Sequence, residues 1–142
     1  MGFLVNPVAG MGGAVGLKGT DGLADEAIRR GAVPVAPRRA ESALREIGAV
    51  DAFFLTASGE MGESLLERSG LRYQVVFEAQ EKSSFEDTRR ACRSFLEEGV
   101  DLIVFCGGDG TARDVSEVTG SKVPIIGIPA GVKMHSGVFA IS

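Results

Sequence analysis

The run Gly107-Gly108-Asp109-Gly110-Thr111 carries the strongest chemical signal in this sequence. It joins an apolar stretch, Leu102-Ile103-Val104-Phe105-Cys106, to a helix-compatible segment from about Ala112 to Val118. Glycines at such a junction let consecutive backbone N–H groups converge into a nest that holds an anion. The N-terminus of the following helix turns its partial positive charge to the same place. Phosphate is the natural occupant. Asp109 repels bare phosphate, so its carboxylate suits a magnesium link, a general base, or an acceptor for a ligand hydroxyl. Thr111 suits a phosphate contact or a helix cap. The run is not a Walker loop, because no Gly-Lys-Ser/Thr follows Gly110. A dinucleotide fingerprint is also missing, since Val15 stands where the third glycine after Gly10-x-Gly12 belongs.

Three further loops follow apolar runs in the same way. Phe3-Leu4-Val5 leads into Asn6-Pro7-Val8-Ala9-Gly10-Met11-Gly12-Gly13, and Asn6-Pro7 fixes how the chain leaves its strand. Residues 10 to 22 hold six glycines together with Lys18, Thr20 and Asp21, a composition able to fold over a phosphate or act as a lid. Phe53-Phe54-Leu55 leads into Thr56-Ala57-Ser58-Gly59-Glu60-Met61-Gly62. Ile125-Ile126-Gly127-Ile128 leads into Pro129-Ala130-Gly131, after which Lys133 is placed to meet a phosphate and His135 and Ser136 follow. In a parallel sheet these four loops share one edge, at the carboxyl ends of the strands, where open α/β sheets bind ligands.

The elements that must carry these loops are legible from periodicity. Strands are expected at 3–5, 51–56, 73–77, 102–106 and 125–128, with Val33 to Pro37 extended. Helices are expected at 22–30, 40–47, 61–69, 83–98 and 112–118, and another near Gly131. The segment 83–98 opens with Ser83-x-x-Glu86, a capping-box pattern, and places Phe85, Cys92, Phe95 and Leu96 on one face. Gly31, Gly48, Gly70 and Gly99 each follow a helix and read as C-terminal caps. Strands alternating with helices imply βαβ units, a parallel sheet and helices on both faces.

Composition bounds the alternatives. The chain has 142 residues, one ordinary domain, with 44% hydrophobic and 24% charged residues, enough to bury a core. Its 20 glycines are about twice the usual frequency of roughly 7%. A net charge of −4 disfavours a general nucleic-acid binder. Cys92 and Cys106 have no CxxC partner and read as core residues in a reducing, cytoplasmic setting. A single histidine leaves no multi-His metal site in this stretch. No run reaches the roughly 20 apolar residues of a membrane span, so no membrane partner is expected.

Several segments resemble one superfamily. Gly107-Gly108-Asp109-Gly110-Thr111 resembles the signature shared by NAD kinases, diacylglycerol and sphingosine kinases and, more distantly, phosphofructokinases. Asn6-Pro7-x-Ala9-Gly10 is similar to its Asn-Pro opening. Gly13-x-x-Gly16-Leu17-Lys18-Gly19-Thr20-Asp21-Gly22, Gly59-Glu60-Met61-Gly62 and Gly127-Ile128-Pro129-Ala130-Gly131-Val132-Lys133-Met134-His135-Ser136 resemble the ATP-NAD kinase branch that includes the acetoin-catabolism X proteins. The resemblance implies a Rossmann-like three-layer α/β/α domain with a mostly parallel sheet, spanning 1–142 as the nucleotide-binding half. A β-rich second domain would complete the cleft. The apolar run Val138-Phe139-Ala140-Ile141-Ser142 fits that expectation, because it stops without a cap or polar tail. The resemblance further implies transfer of the ATP γ-phosphoryl to the adenosine ribose 2′-hydroxyl of NAD, with Mg2+. Asp109 would be catalytic. Gly107, Gly108, Gly110, Thr111, Asn6, Gly10, Gly12, Gly13, Lys18, Gly131 and Lys133 would bind nucleotide and phosphate. The Asn-acidic pair that holds the nucleotide ribose in NAD kinases is expected in later sequence. The partners expected are nucleotide substrates and further copies of the chain in a homo-oligomer. Two other readings fit the residues: a kinase for a lipid or small-metabolite hydroxyl, and a non-catalytic nucleotide-binding or sensing module.

Overall fold

The chain folds around a five-stranded sheet in which every pairing is parallel. The computed structural model describes residues 1–10, 24–31, 33–48, 50–131 and 137–138. The strands are β1 (Gly2–Val5), β2 (Phe53–Ala57), β3 (Arg72–Phe77), β4 (Ile103–Gly107) and β5 (Ile125–Pro129). The helices are α1 (Ala24–Arg29), α2 (Ala36–Ile47), α3 (Glu63–Arg68), α4 (Phe85–Glu97) and α5 (Asp109–Thr119), and a 3₁₀ turn covers Gly59–Met61.

The spatial order is β3-β2-β1-β4-β5. From β1 the chain steps outward to β2 and β3, then returns to lay β4 on the other side of β1 and continues outward to β5. The order therefore reverses between β1 and β4, which pair from Gly2↔Ile103 to Val5↔Cys106. These two strands are buried throughout. Their unbroken apolar sequences follow from that position, since a central parallel strand is covered on both faces.

Two apolar layers cover the sheet. On one face Phe3, Val5, Phe54, Val104 and Cys106 pack with Ala36, Ala40 and Leu44 of α2 and Leu65 and Leu66 of α3. On the other, Leu4, Ile103 and Phe105 pack with Ala91, Cys92 and Phe95 of α4 and Ala112 and Val115 of α5. Alternate residues of β1 and β4 thus feed opposite layers, as the period of two in a strand requires. The fold is the expected α/β architecture with a three-layer, Rossmann-like arrangement.

Several boundaries differ from the periodicity, each for a physical reason. Helix α2 begins at Ala36 with Pro37 in its first turn, where a missing N–H costs no hydrogen bond. The capping box of α4 is Ser84 with Asp87, not Ser83 with Glu86: Ser84 N donates to Asp87 Oδ2 at 3.2 Å. Phe85 is the first residue of α4 and points to solvent at the open end of the helix. It is 55% exposed rather than buried beside Cys92 and Phe95, and the Arg89 guanidinium lies 5.6 Å from its ring centroid. Gly31, Gly70 and Gly99 take the left-handed conformation of a cap, whereas Gly48 stays helical at φ −60°. The helix expected from Ala112 already begins at Asp109. The helix expected near Gly131 lies outside the described residues beyond 131. Val138 is described: its carbonyl accepts from Gly127 N of edge strand β5 at 2.8 Å.

Candidate functional site

The strand order reverses between β1 and β4, and the carboxyl edge at such a reversal is where open α/β sheets bind ligands. Asn6 follows β1 and Gly108 follows β4, so the two segments with the strongest chemical signal flank this point. Backbone pairing continues past the strands: Asn6 N donates to Cys106 O at 2.9 Å.

The turn after β4 is tighter than a glycine-lined loop. Gly107 is the last residue of β4, Gly108 is an extended N-cap at φ −102°, and Asp109 is already helical. None of Gly107, Gly108 and Gly110 has a positive φ, so the alternating left-handed nest expected here does not form. What the turn offers an anion is the N-terminus of the 11-residue helix α5. Gly108, Asp109 and Gly110 are half-buried, so the turn is open to solvent.

Glycine is needed at 107 for space. A Cβ there would lie 2.5 Å from both Cβ and Oγ1 of Thr111. Thr111 fills that volume and is 5% exposed. Its hydroxyl oxygen accepts from Asn6 Nδ2 at 3.0 Å. The other end of the Asn6 amide, Oδ1, accepts from Val8 N at 3.3 Å. A backbone N–H can only donate, so this contact fixes which end of the amide faces Thr111.

The third loop closes on the same point. Ala130 N donates to Gly107 O at 3.0 Å. Gly10 has φ +81°, and a Cβ on it would fall 1.8 Å from Ala130 O. The segments after β1, β4 and β5 therefore meet backbone to backbone. Sequence reasoning missed Ala130, since a contact made by main-chain atoms leaves no mark in its side chain. Gly131 follows directly and is half-buried. Gly12, Gly13, Lys18 and Lys133 lie outside the described residues, as do His135 and Ser136.

The loop after β2 is strapped to the same edge. Ser58 N donates to Phe77 O at 2.9 Å, and Ser58 Oγ accepts from Ala79 N at 2.8 Å. Gly59 N donates to Glu63 Oε2 at 2.8 Å, and Met61 is buried. The Thr56 hydroxyl donates to Phe3 O at 2.8 Å, tying β2 to β1.

Cys106 immediately precedes Gly107, yet it is no nucleophile. Burial pushes its thiol up to about 12, and its Sγ donates to Ala36 O at 3.3 Å. A thiol held protonated in an apolar layer is inert near neutrality. Among the described residues no three His, Cys, Asp or Glu side chains gather as a metal site. No helix among them is long and apolar enough to cross a membrane.

The arrangement suits positioning and charge stabilisation of a phosphorylated ligand. It combines a helix N-terminus with a carboxylate on the half-buried first helical residue, at the topological switch of the sheet. In comparison with known proteins, the family described as ATP-NAD kinase N-terminal domain matches residues 1–142. No curated protein and no solved structure matches the chain.

Proposed function

Since the chain belongs to the ATP-NAD kinase family, we propose that it forms the nucleotide-binding half of an enzyme that makes NADP from NAD and ATP. The observation that carries this reading is the placement of Asp109. It stands on the first helical residue of α5, at the point where the strand order reverses. Gly108 and Gly110 flank it without side chains, which leaves the backbone amides of the turn open to phosphate oxygens.

In the proposed reaction the ribose 2′-oxygen of NAD attacks the γ-phosphorus of ATP. The bond to the bridging oxygen breaks and ADP leaves. The hydroxyl proton passes to the Asp109 carboxylate. Positioning and electrostatic stabilisation supply most of the acceleration in phosphoryl transfer. Asp109, the helical amides of α5 and the loops holding Gly10, Gly12, Gly13, Lys18, Gly131 and Lys133 would provide them. Magnesium fits as a companion of ATP, because a cation that keeps waters and phosphate oxygens needs only one or two protein carboxylates. When bound it neutralises phosphate charge. The reading further includes a β-rich second domain that completes the cleft, a homo-oligomeric assembly and a cytoplasmic setting.

The test is NADP formation by the intact protein and by its Asp109→Ala variant. Loss of a general base lowers turnover by about 10²- to 10⁴-fold. Undiminished turnover in the variant removes Asp109 from the chemistry. Transfer to a lipid or small-metabolite hydroxyl with NAD untouched replaces the acceptor, and nucleotide binding without any turnover makes the chain a sensing module.

A further inference from the structure

We infer that Asn6 and Thr111 act as a positioning pair that fixes the first turn of α5, and hence Asp109, rather than as ligands of the phosphates. The inference rests on the kinase reading above and assigns these two side chains a different part in it.

Three observations carry it. First, both ends of the Asn6 amide are engaged within the protein: Oδ1 accepts from Val8 N at 3.3 Å and Nδ2 donates to Thr111 Oγ1 at 3.0 Å. Second, Thr111 is only 5% exposed and its hydroxyl is engaged by Asn6, so it offers a ligand almost no surface. Third, Thr111 is packed into the space that Gly107 leaves vacant, with its Cβ 2.5 Å from where a Cβ on Gly107 would stand. Thr111 is thus held from two directions, by a hydrogen bond from the end of β1 and by steric contact with the end of β4. It belongs to the same helical turn as Asp109, and Ala112 N closes that turn by donating to Gly108 O at 2.9 Å.

The chemical consequence is directional. A side chain that binds phosphate contributes to nucleotide affinity, and its loss raises KM or Kd. Loss of a side chain that only sets the angle of the helix lowers kcat by more than it weakens affinity, because the amides of the turn remain while Asp109 loses its placement. Members of one latch also fail together: once either partner is gone, removing the other costs little more.

The experiment compares Asn6→Ala, Thr111→Val, Thr111→Ser and the Asn6→Ala/Thr111→Val double variant in the intact protein. Thr111→Val keeps the shape against Gly107 and removes the hydroxyl; Thr111→Ser keeps the hydroxyl and guards against a variant that fails to fold. Displacing a reacting group by an ångström costs on the order of 10²-fold, so kcat for NADP formation should fall by about tenfold or more in Asn6→Ala and Thr111→Val. ADP affinity by calorimetry should weaken by a smaller factor than kcat falls, and Thr111→Ser should keep kcat within about threefold. The double variant should be no worse than the poorer single one.

A second readout is independent of turnover. Hydrogen exchange at the Ala112 amide, which bonds to Gly108 O, should speed up by about tenfold in both single variants, and no further in the double. A tenfold rise in the ADP Kd with kcat preserved overturns the inference, as do multiplicative losses in the double variant. Unchanged exchange at the Ala112 amide in Asn6→Ala overturns it as well. A wild-type protein that makes no NADP refutes the kinase reading alone, and the exchange data still decide on the latch.

Discussion

Replacing Gly107 by alanine tests the packing on which the site depends. The added Cβ meets the Cβ and Oγ1 of Thr111 at 2.5 Å and its Cγ2 at 2.7 Å. Carbon atoms rest at about 3.5 to 4.0 Å, so the two groups must separate by about 1 Å or more. Rotating Thr111 about χ1 does not help, because its own Cβ is one of the atoms in the way. Either the end of β4 or the first turn of α5 has to move. The strand is the stiffer partner: Gly107 O accepts from Ala130 N, and β4 is paired on both sides. The helix therefore shifts, and Asp109 shifts with it. Overpacking of this kind costs about 1 to 3 kcal/mol. With a urea m-value of about 2 kcal/mol/M, a cost of 2 kcal/mol lowers the midpoint of denaturation by about 1 M. The m-value itself should be unchanged. Turnover to NADP in the intact protein should fall by about 10²-fold, the scale set by ångström displacements of reacting groups. Adding Thr111→Gly removes the obstructing atoms. The double variant should then be less destabilised than the sum of the single changes by about 1 kcal/mol or more. A midpoint for Gly107→Ala within about 0.2 M of wild type would refute the argument, since it would mean that the helix and strand do not touch as described.

Two further outcomes follow from neighbouring geometry. Gly10→Ala places a Cβ 1.8 Å from Ala130 O in a backbone with φ +81°, so strain and steric displacement together should cost at least about 2 kcal/mol in urea denaturation; a change below about 0.5 kcal/mol would show that the loops after β1 and β5 are not in contact. Burial raises the Cys92 and Cys106 thiols from 9.0 to about 12 in the folded chain. Their favourable contribution is therefore complete below about pH 9, where the unfolded thiols are also protonated, and declines as pH rises towards about 12, by about 1.4 kcal/mol per pH unit for each thiol. Stability measured from pH 8 to 10.5 in wild type and Cys92→Ala/Cys106→Ala should show the steeper loss in wild type, and equal slopes would contradict it.

Much of the fold was legible because burial writes itself into side-chain type. Leu102 to Cys106 has no polar alternation, which places it in the centre of a parallel sheet, and β4 lies there, covered on both faces. The helices of the outer layers showed through their period, and Ala40, Leu44, Cys92 and Phe95 are buried accordingly. The boundaries were less legible. The cap of α4 is Ser84 and not Ser83, since two adjacent serines with Glu86 and Asp87 three residues on satisfy the pattern equally well. Only tertiary packing, of α4 against β1, β2, β3 and α5, decides between them.

The site divides along the same line. The sequence by itself determined that glycine-rich turns follow the strands and that Asp109 lies in the strongest of them, because chain order and residue type are local. The tertiary structure decided what the glycines are for. Gly107 gives room to Thr111, and Gly10 gives room to Ala130 O, a main-chain atom 120 positions away in sequence. The strand order that brings Asn6 to Thr111 was likewise beyond local reading. A run of apolar residues fixes that a strand is buried, but which strands are neighbours is settled only when the whole sheet packs.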